Sequence, residues 1–504
     1  MEAQYPYQDA GLSVHQRVED LLSRMPLADK VGLMFHTIAV PADVDAVVPL
    51  FGERSLRSLV DKGLRHFNVL GSLPDGRSFA QWHNSVQSAA LRHPLGIPVT
   101  FSSDPRHHFG DNPLTQMMAG PFSLWPEPLG LAAIGSADRV REFADIVRQE
   151  YLAVGIRVAL HPQLDVATEP RWSRINTTFG EDAELTSRLG VAYVDGLQGA
   201  RLGADSVAAM VKHFPGGGPQ LDGNDPHFGW GREQVYPGDN AAYHLRPFRA
   251  ALDAGAAEVM PYYGMPVGTD WDEVGFGFNK SVITGLLRDE LGFDGIVCTD
   301  WGLVSDHPDL GDLGVARAWG VEHLGPADRA LRVIEAGADQ FGGEDCTEVL
   351  LGLVRDGRVS ESRIDESVRR LLRVTFTLGL FEHPFVDEEA ASITLGRSDF
   401  RDAGLAAQRD SLTLLTNSAL LPLTRGTKVF APQITAAALE GYATTVDDPA
   451  AADLAVLRIK APYEPRTEGM AALFHHGSLE FAAEEVRRIL EVCAAVRTVI
   501  DVYL

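Results

Sequence analysis

From about residue 14 to 380, short apolar runs alternate with longer stretches whose apolar residues recur every three or four positions. The runs VGLMFHT (31–37), IPVTFSS (97–103), IRVALHPQLDV (156–166), VAAMVKHF (207–214), AEVMPYY (257–263) and GIVCTDWG (295–302) read as strands. Between them, SADRVREFADIVRQEYLAVG (136–155) and NKSVITGLLRDELG (279–292) read as helices, the first with Ser136 as N-cap and Gly155 as C-cap. Strand and helix alternating over this length predict a (β/α) barrel in preference to an open sheet. Asp104, Asp165, His213 and Asp300 stand where apolar runs end, the face on which such barrels carry their sites. An open doubly wound sheet shares that property, so strand ends alone leave the two architectures open.

The barrel pattern spans residues 1–385 and fades in LLRVTFTLGLFEHPFVDEEAA, whose Pro and acidic residues read as a linker over 386–408. A second α/β unit is expected over 409–504, opening with RDSLTLLTNSALLPL and continuing through TKVFAP, ADLAVLRI and VRTVIDVYL. One helix, LEFAAEEVRRILEVCAAV (479–496), spaces its strands. The pattern stops within a strand-like run, which predicts an incomplete sheet with an unpaired edge.

At 504 residues the chain has room for more than one core. Its formal charge of −25 speaks against nucleic acid or an anionic membrane surface as partner, and solubility accounts for it. The first residues lack a basic segment followed by an apolar one, and no apolar run approaches a membrane span. The three cysteines, Cys298, Cys346 and Cys493, lie far apart without metal-ligand spacing and read as buried thiols. A cytoplasmic location is expected, or a secreted or periplasmic one if a leader has been removed.

Asp300, at a strand tip beside Trp301, suits nucleophilic attack on an electron-poor carbon, and equally suits a helix N-cap. KHFPGGG (212–218) offers Lys212 and His213 as donors to hydroxyls, with glycines that let the backbone turn; the rival phosphate cradle lacks the order GxxxxGK[ST]. EPRWSRINTTFGED (169–182) sets Arg171 and Arg174 about Trp172, either for a polyhydroxylated ring or as a surface loop pairing with Glu181 and Asp182. His107 and His108 alone make a poor metal-ligand set and read as loop residues.

PLADKVG, FSSDPRHHFG, QLDV, PRWSRINTTFGED, KHFPGGG, GFDGIVCTDWG and SLTLLTNSALLPL, in this order, resemble glycoside hydrolase family 3 over most of the chain. The resemblance implies a (β/α)8-like TIM barrel followed by an α/β sandwich, incomplete here, with the sugar bound between them. It implies double displacement with net retention and neither metal nor organic cofactor. Asp300 then matches the nucleophile, and Asp104, Arg174, Lys212 and His213 the residues holding the sugar in subsite −1. Tyr263, with Tyr262 as alternative, matches a tyrosine near the nucleophile, and Trp301 the aromatic beside the sugar.

The acid/base implied by the resemblance is a Glu of the second domain: Glu464 in KAPYEPRTEGM, with Glu468 in reserve. A surface pair with Arg466 is the other reading of Glu464. A second branch, bacterial β-N-acetylglucosaminidases, uses an Asp-His dyad, which Asp225 and His227 resemble in D-x-H spacing, although Gly217 stands where that motif has His. His227 is expected to line the entrance in either case. The expected substrate is an oligosaccharide or glycoside with a terminal β-linked glucose or xylose. The alternatives are an N-acetylglucosaminidase and a catalytically impaired carbohydrate-binding relative. A homo-oligomer and a missing C-terminal part both remain open.

Overall fold

The computed structural model describes residues 4–48, 54–110, 112–467 and 469–503, which form two compact units, Met1–Ser411 and Leu412–Leu504. In the first unit eight parallel strands follow one another in chain order around a barrel. They are β1 (Phe35–Ala39), β2 (His66–Val69), β3 (Thr100–Ser103), β4 (Ile156–Ala159), β5 (Ala208–Phe214), β6 (Glu258–Pro261), β7 (Ile296–Val297) and β8 (Phe341–Gly342). β8 pairs with β1, and a bridge between Cys298 and Gln340 joins β7 to β8, closing the ring. Buried Asp339 secures that seam, accepting from the Val297 N–H at 2.9 Å and from Arg288 at 2.6 Å.

Helices cover the outside of the barrel. Ala137–Val154 is held by the Ser136 side chain, which accepts from the Arg139 N–H, and ends on Gly155 at φ 84°. Its buried stripe of Val140, Phe143, Ala144, Val147 and Tyr151 follows the helical period that the sequence shows. The segment VGLMFHT departs from its expected strand: Leu27–Leu33 is helical and pairing begins only at Phe35. Val31 and Leu33 are buried from a helix face, and a short apolar run fits either period. In IPVTFSS pairing begins at Thr100, past Pro98, which has no N–H to give a ladder. β2 is absent from the sequence reading because it is short and His66 and Asn68 break its apolar pattern, and β8 because it is only Phe341–Gly342.

Residues 386–408 are not a linker. They hold the helix Glu388–Thr394, capped by Asp387, and most of the helix Ser398–Asp410, both part of the first unit. Asn84 exchanges hydrogen bonds with the backbone of Val386 (2.9 and 3.0 Å), Arg77 pairs with Glu389, and Phe400 and Ala407 are buried. Few apolar residues serve this contact, so composition alone resembles a connector. Fully buried Glu150 holds the junction: it accepts from His107 Nε2 (2.9 Å), the Ser123 hydroxyl (2.6 Å), the Ser123 N–H (3.1 Å) and the Gly396 N–H (2.7 Å).

The second unit is a four-stranded parallel sheet in the order β10–β9–β11–β12, where β9 is Thr427–Phe430, β10 Ala443–Thr445, β11 Leu454–Lys460 and β12 Thr498–Tyr503. Ala455, Leu457 and Ile459 pack with Val492 of the helix Ala483–Ala495, and Val429, Ala431 and Leu454 form a second small core. Among the described residues β12 is an edge strand. The opening SLTLL forms no strand: Leu412, Leu414 and Leu415 are exposed.

Burial raises the Glu150 pKa, but the hydrogen bonds from His107, Ser123 and Gly396 outweigh it and leave the carboxyl below its ordinary 4.5. A carboxyl lowered by folding stabilises fully above its unfolded value, and that contribution fades as the pH falls through the folded one. Glu150→Ala is therefore expected to cost about 3 kcal/mol or more at neutral pH, because several buried donors lose their acceptor. Urea denaturation checks this, and the gap from wild type should narrow below about pH 4.5.

Candidate active site

The C-terminal ends of the strands bring eight of the nine residues expected at the site into one connected set. Lys212, in β5, donates to Asp104 beyond β3 at 2.7 Å, and Asn68 of β2 donates to the other Asp104 oxygen at 3.0 Å. His213 points Nε2 toward Asp300 Oδ2 at 3.9 Å, while its Nδ1 lies 2.7 Å from Asp165. The peptide between Lys212 and His213 is cis.

Asp300 follows β7 and is 7 % exposed. Its Oδ1 accepts from the Trp301 N–H at 2.9 Å, and its buried Oδ2 has no hydrogen-bond partner among the described residues. No helix starts after it, which removes the N-cap alternative. The Tyr263 hydroxyl lies 2.9 Å from both the N–H and the carbonyl of Trp301, fixing the chain beside Asp300. The Trp301 indole lies close over Gly342 and Gly343, where an added Cβ would sit 2.7 Å from it.

Arg174 is buried, with Nη2 donating to Gln163 at 3.1 Å and Nη1 to the Tyr262 hydroxyl at 3.4 Å. Burial opposes its charge, but the fields of Tyr262, Asp225, Asp165 and Asp300 prevail and raise its pKa. Trp172 carries no sugar-facing surface: it is wholly buried and donates Nε1 to Asp225 at 2.9 Å. Arg171 is outside the cluster, paired with Glu169 and Asp222 and not with Glu181 or Asp182.

Asp225 and His227 form a buried pair, Oδ1 to Nδ1 2.6 Å, with the His227 ring edge-on to Tyr263 at 4.8 Å. Burial pushes the Asp225 pKa up, but His227 and Arg174 more than compensate and bring it down to about 2. His227 is 6 % exposed, close to the 7 % of Asp300.

The glycines of KHFPGGG serve close approach and not a phosphate. A Cβ on Gly217 would lie 2.6 Å from the Tyr262 ring, and one on Gly218 1.7 Å from the Val166 carbonyl. His107 and His108 are loop residues, as expected, but buried ones, bonded to Glu150 and to the Pro126 carbonyl (2.8 Å). Cys298 is buried as expected, whereas Cys346 is half-buried and Cys493 exposed.

This arrangement of carboxylates, cations and indole at the strand ends of a (β/α)8 barrel coincides with a family match. Residues 63–374 match the glycosyl hydrolase family 3 N-terminal domain. The chain belongs to glycosyl hydrolase family 3. Over 505 residues it is 48% identical to a probable beta-glucosidase C of Aspergillus flavus, covering 99% of this chain and 80% of that one. It is 39% identical over 530 residues to a periplasmic beta-glucosidase/beta-xylosidase of Dickeya chrysanthemi, again covering 99% and 80%. A solved β-glucosidase from Erythrobacter marinus shares the fold, with a TM-score of 0.79 at 22% identity over 99% of this chain and 73% of that chain.

Of the candidates in this glycoside hydrolase, Glu464 belongs to the second unit. It follows β11, pairs through its backbone with His476, and its exposed carboxylate accepts from the Ser478 N–H at 3.0 Å. Glu468 lies outside the described residues. Sequence reasoning passed over Asn68, Gln163 and a role for Asp165. Asn68 sits on the overlooked β2, Gln163 was noted only within the QLDV motif, and Asp165 was noted at a strand end without a partner.

Gly217→Ala is expected to push Tyr262 and Asp165 away from Arg174 and His213. A displacement of about 1 Å at such a site corresponds to roughly a 100-fold loss of kcat/KM. Steady-state kinetics beside a melting curve would show activity falling far more than stability.

Proposed function

We propose that the chain is a retaining, exo-acting β-glycosidase that releases terminal β-linked glucose or xylose from oligosaccharides and glycosides. The observation that carries this is the gathering, at the strand ends of one barrel, of Asp300 beyond β7, Asp104 beyond β3 and Lys212 in β5. A terminal sugar lying between them presents its anomeric carbon to Asp300 and free hydroxyls to the ion pair. Only an unsubstituted terminal residue has hydroxyls there, which makes the action exo. The carboxylate of Asp104 accepts from those hydroxyls, and Lys212 and Arg174 donate to their oxygens. The names of the Aspergillus flavus and Dickeya chrysanthemi relatives support glucose and xylose.

In the first step Asp300 Oδ2 attacks the anomeric carbon, the glycosidic bond breaks, and a carboxylic acid protonates the departing oxygen. In the second, water attacks the glycosyl ester and gives its proton back to the same acid, freeing the sugar with its configuration retained. Tyr263 and Trp301 hold the chain at Asp300, and the Trp301 indole supplies an apolar face for the ring. Glu464 is assigned as the acid/base by the family likeness.

A panel of p-nitrophenyl β-glycosides (glucose, xylose, galactose and N-acetylglucosamine) tests this reading. The glucoside or xyloside should be turned over, and Asp300→Asn should lower kcat by on the order of 10⁴-fold or more while monosaccharide binding persists. Preference for the N-acetyl substrate would instead favour Asp225 and His227 as the acid/base pair. Glu464→Ala should retain much of the first step on nitrophenyl glycosides, whose leaving group needs little protonation, and lose about 100-fold or more on disaccharides. Equal losses on both would remove Glu464 from the role.

A further inference from the structure

One buried carboxylate at the strand ends has no part in the chemistry above. Asp165, beyond β4, is wholly buried and bonds to His213. Its Oδ1 accepts two main-chain N–H groups, from His213 at 3.2 Å and Gly217 at 2.5 Å, and its Oδ2 lies 2.7 Å from His213 Nδ1. We propose that Asp165 is a positioning residue that fixes the proton of His213 on Nδ1, so that Nε2 meets the sugar as a hydrogen-bond acceptor and selects a hydroxyl able to donate.

Main-chain N–H groups can only donate, so Oδ1 must remain an oxygen acceptor. Burial raises the Asp165 pKa to about 6 while the two donors pull it down, so above that pH the carboxylate is ionised and Oδ2 receives the Nδ1 proton. Burial drives the His213 pKa well down, and Arg174 and Lys212 add to it, so the ring carries a single proton. Nε2 then bears a lone pair. Its 3.9 Å separation from the unpartnered Asp300 Oδ2 is longer than a hydrogen bond, as befits two facing acceptors, and a sugar hydroxyl at about 2.8 Å from Nε2 can donate its one proton there. Tyr262, its ring 4.3 Å from the imidazole, holds the ring in this orientation, and Gly217 allows the close approach that a Cβ would block.

Asp165→Asn is the sharp test, because it keeps the shape and reverses the proton. The two main-chain donors hold the new amide's oxygen at Oδ1, so its NH2 faces Nδ1, which must accept, and the ring proton moves to Nε2. Nitrogen NMR of histidine-labelled protein, with the His213 signal assigned by His213→Gln, should show Nδ1–H in the wild type and Nε2–H in Asp165→Asn. kcat/KM on the best glycoside should fall on the order of 10²–10⁴-fold, as when a catalytic histidine is locked in the wrong tautomer. Calorimetry with glucose and its monodeoxyfluoro analogues supplies the second readout. Fluorine accepts but cannot donate, so one position should weaken wild-type binding sharply on fluorination and weaken Asp165→Asn binding little.

A wild-type ring protonated at Nε2, or a mutant with unchanged tautomer and unchanged kinetics, would overturn the proposal. The wild-type spectrum decides the matter even if the variant fails to fold. The proposal rests on the glycosidase reading for the identity of the ligand, but the spectra need no turnover. An Nε2–H spectrum in an active enzyme therefore sinks this inference alone, whereas no hydrolysis of any glycoside by a protein with Nδ1–H sinks the reading it rests on.

Discussion

Four buried or nearly buried aspartates, Asp104, Asp165, Asp225 and Asp300, share the rim of one barrel with Lys212 and Arg174, and such a cluster survives only if each charge is answered by an opposite charge or by hydrogen-bond donors. Lys212 answers Asp104, His213 and two main-chain N–H groups answer Asp165, and His227, Trp172 and Tyr262 answer Asp225. Asp300 is the exception, with one oxygen bonded to a backbone N–H and the other open. The open lone pair belongs to the carboxylate proposed to attack the sugar. The surrounding groups are committed to one another and hold it there.

That arrangement depends on packing further out. Gly217, Gly218, Gly342 and Gly343 let backbone and ring come within distances that any Cβ would forbid, and they do so around Tyr262, the Val166 carbonyl and Trp301. Glu150 performs a comparable task behind the loop carrying Asp104, gathering His107, Ser123 and Gly396 onto one buried carboxylate. The helices of 386–410 thereby belong to the barrel unit and brace it.

Much of this was legible from the chain. The barrel followed from alternating periods, and helix 137–154 was recognisable by its cap residues and apolar stripe. The motif order pointed to the family and to Asp104, Arg174, Lys212, His213, Tyr263, Trp301 and Asp300. Less legible were β2, whose His66 and Asn68 break the apolar pattern, β8, which is only Phe341–Gly342, and the 386–408 segment, whose packing uses few apolar side chains. The contacts of Trp172 and His227 were less legible, because both run to buried Asp225.

Local sequence determined which residue types stand at the strand ends, because periodicity and turn residues act over a few positions. Tertiary structure alone decided their partners. Asp165 and His213 lie 48 positions apart, Asp104 and Lys212 108 apart, and the side-by-side pairing of β3, β4 and β5 in the barrel brings them within hydrogen-bond reach. Which oxygen of Asp165 faces a main-chain donor, and hence which nitrogen of His213 holds a proton, depends on angles and distances that no linear spacing encodes.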